Sequence, residues 1–199
     1  MYPASDAVPG RVVRHVPNAF TVVRVVLIPV IGALLVEQRY VAALWTLLAS
    51  ALSDLIDGQV ARRFNARTRF GAIADPVADK LTMLTVTLVL AWQGLLPLWL
   101  AAAIVLRDVV IVGGAVAYHR LIGPVEMSPT WLSKLNTVLE FTVLAAVLAD
   151  AAGFVEIGVQ LPVLFAMVFA TVVASGAQYV WIWGRRSALL RRAPLTGPG

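Results

Sequence analysis

Six apolar stretches divide this chain, at about 21–36, 41–60, 73–92, 96–118, 132–151 and 161–183, with short connections between them. A hydrocarbon core about 30 Å thick takes roughly 20 apolar helical residues per crossing, so each stretch can span a bilayer. The whole composition agrees, with 60% hydrophobic and 14% charged residues and a mean hydropathy of +0.84. An ordinary soluble domain lies far from those values. The expected fold is therefore an all-α integral membrane protein, one compact domain of six transmembrane helices. Cysteine is absent, which excludes disulfides, thiolate metal sites and thiol nucleophiles.

The net charge of +5 does not point to nucleic acid, because the cations sit at the ends of the apolar stretches and form no single patch. Arg11 and Arg14 precede the first stretch; Arg62, Arg63, Arg67 and Arg69 fill the second connection. Arg120 and Lys134 flank the fourth, and Arg185, Arg186, Arg191 and Arg192 follow the last, whereas the opposite side holds Arg39 alone. The positive-inside tendency puts both termini and the second and fourth connections in the cytoplasm, for a multi-pass protein of the cell (inner) membrane. Segment 1–16 then reads as a cytoplasmic or interfacial lead without a removable signal, 17–184 as the membrane domain, and 185–199 as a basic cytoplasmic tail. Trp92, Trp99, Trp181 and Trp183 fall near span ends and are expected to anchor at the headgroups. Gly113-Gly114 permits a close helix contact, within one subunit or in a homodimer.

Four carboxylates break the apolar pattern. Asp54 and Asp57 close the second stretch and Asp75 and Asp79 open the third, either side of the basic connection. Acids in spanning helices are rare and usually line a polar cavity or bind an ion. Spacings of three and four residues put each pair on one helical face, so the pairs can converge across a hairpin. Together they would repel unless a cation neutralised them. Oxygen donors without Cys or clustered His suit Mg²⁺, Mn²⁺ or Ca²⁺ and not zinc. The structural alternative is that the acids cap helices, as Asp75-Pro76 suggests, or pair with Arg62, Arg63 and Lys80.

Asp54, Asp57, Gly58, Ala61, Arg62, Gly71, Asp75 and Asp79 match every fixed position of D-x2-D-G-x2-A-R-x8-G-x3-D-x3-D. In this the chain resembles the CDP-alcohol phosphotransferases, whose signature spans the second and third of six transmembrane helices. The resemblance implies a cofactor of Mg²⁺ or Mn²⁺ held by Asp54, Asp57 and Asp75, with Asp79 as general base and also near the metal. An aliphatic hydroxyl is a poor nucleophile, and an adjacent carboxylate can take its proton as it attacks phosphorus. Gly58, Ala61 and Gly71 would let a nucleotide approach the backbone, and Arg62 can bond phosphate through two nitrogens. Pro17-Asn18-Ala19-Phe20-Thr21-Val22-Val23-Arg24 resembles the family's P-N-x-x-T-x-x-R opening, placing Asn18 and Thr21 beside the nucleotide. Equally, Asn18 could cap a helix and Arg24 could be a snorkelling cation.

Arg107-Asp108, and Pro129-Thr130 followed by Ser133-Lys134-Leu135-Asn136-Thr137, resemble the cardiolipin synthase subgroup more than the phosphatidylglycerophosphate synthases. Glu140 departs from the subgroup's usual Gln. Arg107 and Lys134 are the candidates to hold an anionic acceptor phosphate, with an Arg107 ion pair to Asp108 or Glu140 as the structural alternative. The resemblance thus implies transfer of a phosphatidyl group from CDP-diacylglycerol, in a polar cavity at the cytoplasmic interface, with release of CMP. The acceptor would be phosphatidylglycerol or, alternatively, glycerol 3-phosphate. A cation transporter and a membrane scaffold are the competing classes.

Overall fold

The computed structural model describes the backbone at 11–63, 69–121 and 130–192, and side chains at 23–53, 77–116, 120 and 130–185. Six helices run in order: α1 Arg11–Val36, α2 Tyr40–Arg63, α3 Arg69–Trp92, α4 Leu98–Leu121, α5 Trp131–Ala151 and α6 Leu161–Arg192. α1 packs on α2 and α3, α2 reaches α5, α3 also meets α4 and α5, and α6 closes the bundle against α4 and α5.

Each helix turns one row of apolar side chains inward at helical spacing. Ile31 and Leu35, Leu44 and Leu47, Val86 and Leu90, Leu100 and Ile104, Leu144 and Leu148, and Val168 and Val172 are all buried in one core. The outer surface is no less apolar. Val26, Leu52, Leu88, Leu106, Val112, Val163 and Val173 are exposed, while Arg24, Arg107, Asn136, Glu140 and Ser175 are buried. Such a distribution would aggregate in water and suits a bundle bathed in lipid. Among the described residues, three segments are long and apolar enough to cross a membrane: Leu98–Val116, Trp131–Ala151 and Leu161–Arg185. Val23–Val36 and Tyr40–Ser53 are shorter apolar segments.

One end of the bundle is closed by the same helix ending used three times. After α1, Arg39 N donates to Leu34 O and Gln38 N to Leu35 O; Gly94 and Gly153 repeat the pattern after α3 and α5. This ending needs a left-handed residue, and Gln38, Gly94 and Gly153 have φ of 57°, 77° and 76°. Gln93 ties two of these ends together, donating through Nε2 to Leu35 O at 2.6 Å.

The helices differ from the sequence expectation mainly at their polar ends. α1 starts at Arg11 and runs through the expected interfacial stretch, so Asn18 is interior to the helix and does not cap it. α3 starts at Arg69, which puts Asp75 and Pro76 inside a helix and removes the capping role for Asp75. Hydropathy marks where lipid begins, and polar residues extend these helices beyond it. Trp92, Trp99 and Trp181 are exposed. Trp183 instead packs its ring on Gly114 of α4, where a β-carbon would collide with it, and lies 5.6 Å from the Tyr179 ring.

Candidate active site

Asp79 sits in the third turn of α3, on the side facing α1 and α5. Its Oδ1 accepts a hydrogen bond from Arg24 Nη1 at 2.9 Å. The pair is asymmetric: the Arg24 side chain is 3% exposed and that of Asp79 is 47% exposed. Arg24 is therefore a buried partner of the Asp79 carboxylate and does not snorkel. Asp79 also borders a cavity of about 380 Å³ between α2, α3 and α5, lined by Leu47, Ser50, Thr82, Met83, Thr137 and Phe141 among others. The walls are mostly apolar, with Asp79 and three hydroxyls as the polar groups, which suits an amphiphile.

Of the four carboxylates, Asp79 alone belongs to the described side chains. Asp54, Asp57 and Asp75 lie on described helix backbone, but their side chains fall outside the described residues, as do those of Asn18, Thr21, Ala61 and Arg62. Gly58 and Gly71 lie in the same stretches. Backbone register still places them. α2 is helical through Arg63, so Asp54 and Asp57 follow the cavity-lining Ser50 by four and seven residues, on one face. Asp75 precedes Asp79 by four residues on the same face of α3. Among the described residues no group of three His, Cys, Asp or Glu side chains is gathered at metal-binding distance. The donor set that register places along this hairpin is all carboxylate, which fits a hard divalent cation.

A second polar cluster joins α3, α4, α5 and α6. Arg107 is buried and fully directed inward: Nη1 donates to Asp108 Oδ1 at 2.7 Å, and Nη2 to Ser133 Oγ at 2.7 Å and Ser175 Oγ at 3.0 Å. Asp108 in turn receives Lys80 Nζ on both oxygens, at 2.8 and 2.7 Å. Thr130 caps α5, its Oγ1 accepting from Ser133 N, and so fixes the turn that carries Ser133 and the exposed Lys134. One layer further in, Asn136 Nδ2 donates to Glu140 Oε2 and Thr171 Oγ1 to Asn136 Oδ1. Sequence reasoning named Arg107 and Lys134 but missed that Lys80 and Ser175 belong with them. Lys80 carried a usable signal, as a cation inside an apolar stretch immediately after Asp79.

The family model for CDP-alcohol phosphatidyltransferases matches residues 14–182, which takes in the whole hairpin and both polar clusters. The chain belongs to that family. This CDP-alcohol phosphatidyltransferase family member is 30% identical over 188 residues to human cardiolipin synthase (CMP-forming), covering 86% of this chain and 62% of the human protein. It is 35% identical over 141 residues to a probable cardiolipin synthase (CMP-forming) of Drosophila melanogaster, covering 63% of this chain and 44% of that protein. A third relative is the CDP-diacylglycerol–glycerol-3-phosphate 3-phosphatidyltransferase of Pseudomonas fluorescens, 36% identical over 148 residues, with coverage of 70% and 75%. The chain thus spans less than two thirds of the length of the cardiolipin synthases it matches.

Proposed function

We propose that this protein transfers a phosphatidyl group from CDP-diacylglycerol to the hydroxyl of an alcohol, releasing CMP, and that the alcohol is phosphatidylglycerol, giving cardiolipin. The observation that carries this is Asp79, the last carboxylate of the family signature, half-exposed at the mouth of an apolar cavity and held there by a buried arginine. An acceptor hydroxyl oxygen attacks the lipid-side phosphorus, the bond to the bridging diphosphate oxygen breaks, and CMP leaves with that electron pair. Asp79 takes the hydroxyl proton, and its bond to Arg24 fixes the direction from which it does so. Asp54, Asp57, Asp75 and Asp79 would hold Mg²⁺ or Mn²⁺, which when bound supplies positive charge to the diphosphate. Gly58, Ala61, Arg62 and Gly71, with Asn18 and Thr21 across from them on α1, serve the nucleotide; Lys134 serves the acceptor phosphate, and Arg107, itself buried, acts on that side through Asp108. Membership of a phosphatidyltransferase family favours transfer over the transport and scaffold alternatives.

In this reading all six helices cross the membrane within 17–184, and the site opens at the cytoplasmic interface of the inner membrane. Segment 1–16 and the basic tail 185–199 are cytoplasmic. Gly113, where an added β-carbon would meet nothing within 4 Å, is where a second copy could approach α4 closely, since Gly114 is filled by Trp183. A second acceptor, glycerol 3-phosphate, is favoured by the likeness to the Pseudomonas protein. Purified protein given labelled CDP-diacylglycerol and Mg²⁺ with each alcohol in turn separates the two by product. Cardiolipin and CMP are expected with phosphatidylglycerol; CMP release only with glycerol 3-phosphate would transfer the assignment to that acceptor.

A further inference from the structure

We infer that Lys80 is the residue that grips the acceptor's phosphate, with Arg107 and Asp108 as the support that aims it; this rests on the phosphatidyl transfer proposed above. Arg107, Asp108 and Lys80 form a chain with two cations to one anion. Arg107 is 4% exposed and spends its terminal nitrogens on Asp108, Ser133 and Ser175, so it presents no surface to a ligand. Lys80 stands at the other end of the chain, with its side chain 42% exposed. An ammonium has three donors, and the two contacts to Asp108 leave capacity for one more oxygen. Glu140 is the other acid acting on this group, but it is buried and engaged with Asn136.

The position suits the reaction. Lys80 follows Asp79 directly, and on a helix it lies about 60° round from Met83, which lines the same cavity as Asp79. Lys80 does not line that cavity itself; its ammonium lies toward Asp108 on α4, so the acceptor's phosphate would sit beside the cavity on that side of α3 while its hydroxyl is at Asp79. Both candidate acceptors carry that phosphate close to the reacting hydroxyl, as a diester in phosphatidylglycerol and a monoester in glycerol 3-phosphate. A flexible point charge accepts either.

The test uses full-length protein in lipid vesicles, with Lys80→Gln, Lys80→Arg and Asp108→Asn, each checked for folding by its thermal transition. Losing one charge-assisted bond to phosphate predicts a rise in acceptor KM of about tenfold for Lys80→Gln, with the KM for CDP-diacylglycerol changed by less than about twofold. Lys80→Arg restores most of the loss, and the monoester suffers more than the diester. Asp108→Asn, which keeps the Lys80 charge but loosens its aim, raises acceptor KM by about threefold, and it decides the matter should Lys80→Gln not fold. An unchanged acceptor KM in Lys80→Gln, or in Asp108→Asn where Lys80→Gln does not fold, or a loss that falls on CDP-diacylglycerol KM or on kcat alone, overturns the role of Lys80. Absence of CMP release by the unaltered protein with every acceptor would overturn the proposed reaction itself, a result distinct from any change in KM.

Discussion

Arg107→Lys tests whether the buried guanidinium is a structural tie. The arginine spans three helices with three hydrogen bonds, two of them to the hydroxyls of Ser133 and Ser175 and one to Asp108. Lysine keeps the charge and can keep the bond to Asp108. A single nitrogen cannot reproduce a planar fork that reaches α5 and α6 at once, so the two hydroxyl bonds go. Bonds from a charged donor contribute about 1.5–3 kcal/mol each. The low end applies here, because a freed serine hydroxyl can turn to a carbonyl one turn back on its own helix. The loss is then about 3 kcal/mol, which for a domain of this size lowers the melting temperature by roughly 6–12 °C. Ser175→Ala, removing one of the two bonds, should give about half that shift. Thermal unfolding in a single detergent, followed by circular dichroism, measures both. If Arg107→Lys melts within about 2 °C of the unaltered protein, the hydroxyl bonds contribute little, and Arg107 is no anchor for Asp108 and Lys80.

Other outcomes follow from the same geometry. Asp79→Asn keeps an oxygen for Arg24 but cannot take a proton, so CMP release should fall by about a hundredfold or more, well beyond any loss of CDP binding, and the melting temperature should drop as buried Arg24 loses its counter-charge; equal losses in binding and turnover would count against the assigned base. Gln38→Gly relieves a left-handed side-chain residue at the end of α1 and should stabilise by about 1 kcal/mol, read as a rise in melting temperature without change in activity. Gly114→Ala puts a β-carbon into the Trp183 ring, which has to move; overpacking of this kind costs about 1–3 kcal/mol, seen as a lower melting temperature.

What the sequence disclosed depended on cost. Placing an acid or a cation within an apolar stretch is expensive enough that each instance demands a reason, so Asp54, Asp57, Asp75, Asp79 and Arg107 stood out from the pattern. Hydrophobic runs matched the six helices, three of which carry segments long and apolar enough to cross a membrane among the described residues. Gly94 and Gly153 marked two helix ends through their conformational freedom, whereas Gln38 adopts the same backbone with nothing in its side chain to announce it. The helix starts were illegible: polar residues at the head of α1 and α3 read as loop or cap, and only tertiary contact decides that such a turn stays helical.

Partnership was the harder quantity, because it depends on which faces the bundle brings together. Arg24 and Asp79 are separated by 55 positions, and Arg107 and Ser175 by 68. No local pattern reports contacts at that range, so Arg24 could be read as a cation reaching for the headgroups when it is turned inward on Asp79. The pairing changes what each residue can do. Arg24 and Arg107 are both arginines on apolar helices, both are buried, and each is paired with a more exposed carboxylate, Asp79 in one case and Asp108 in the other. In both pairs the more exposed partner is the carboxylate, and beyond Asp108 the exposure passes to Lys80. A buried guanidinium is thus stabilised by an acid that it also orients, and the more exposed groups, Asp79 and Lys80, are the ones to which the proposed transfer assigns a proton and a charge.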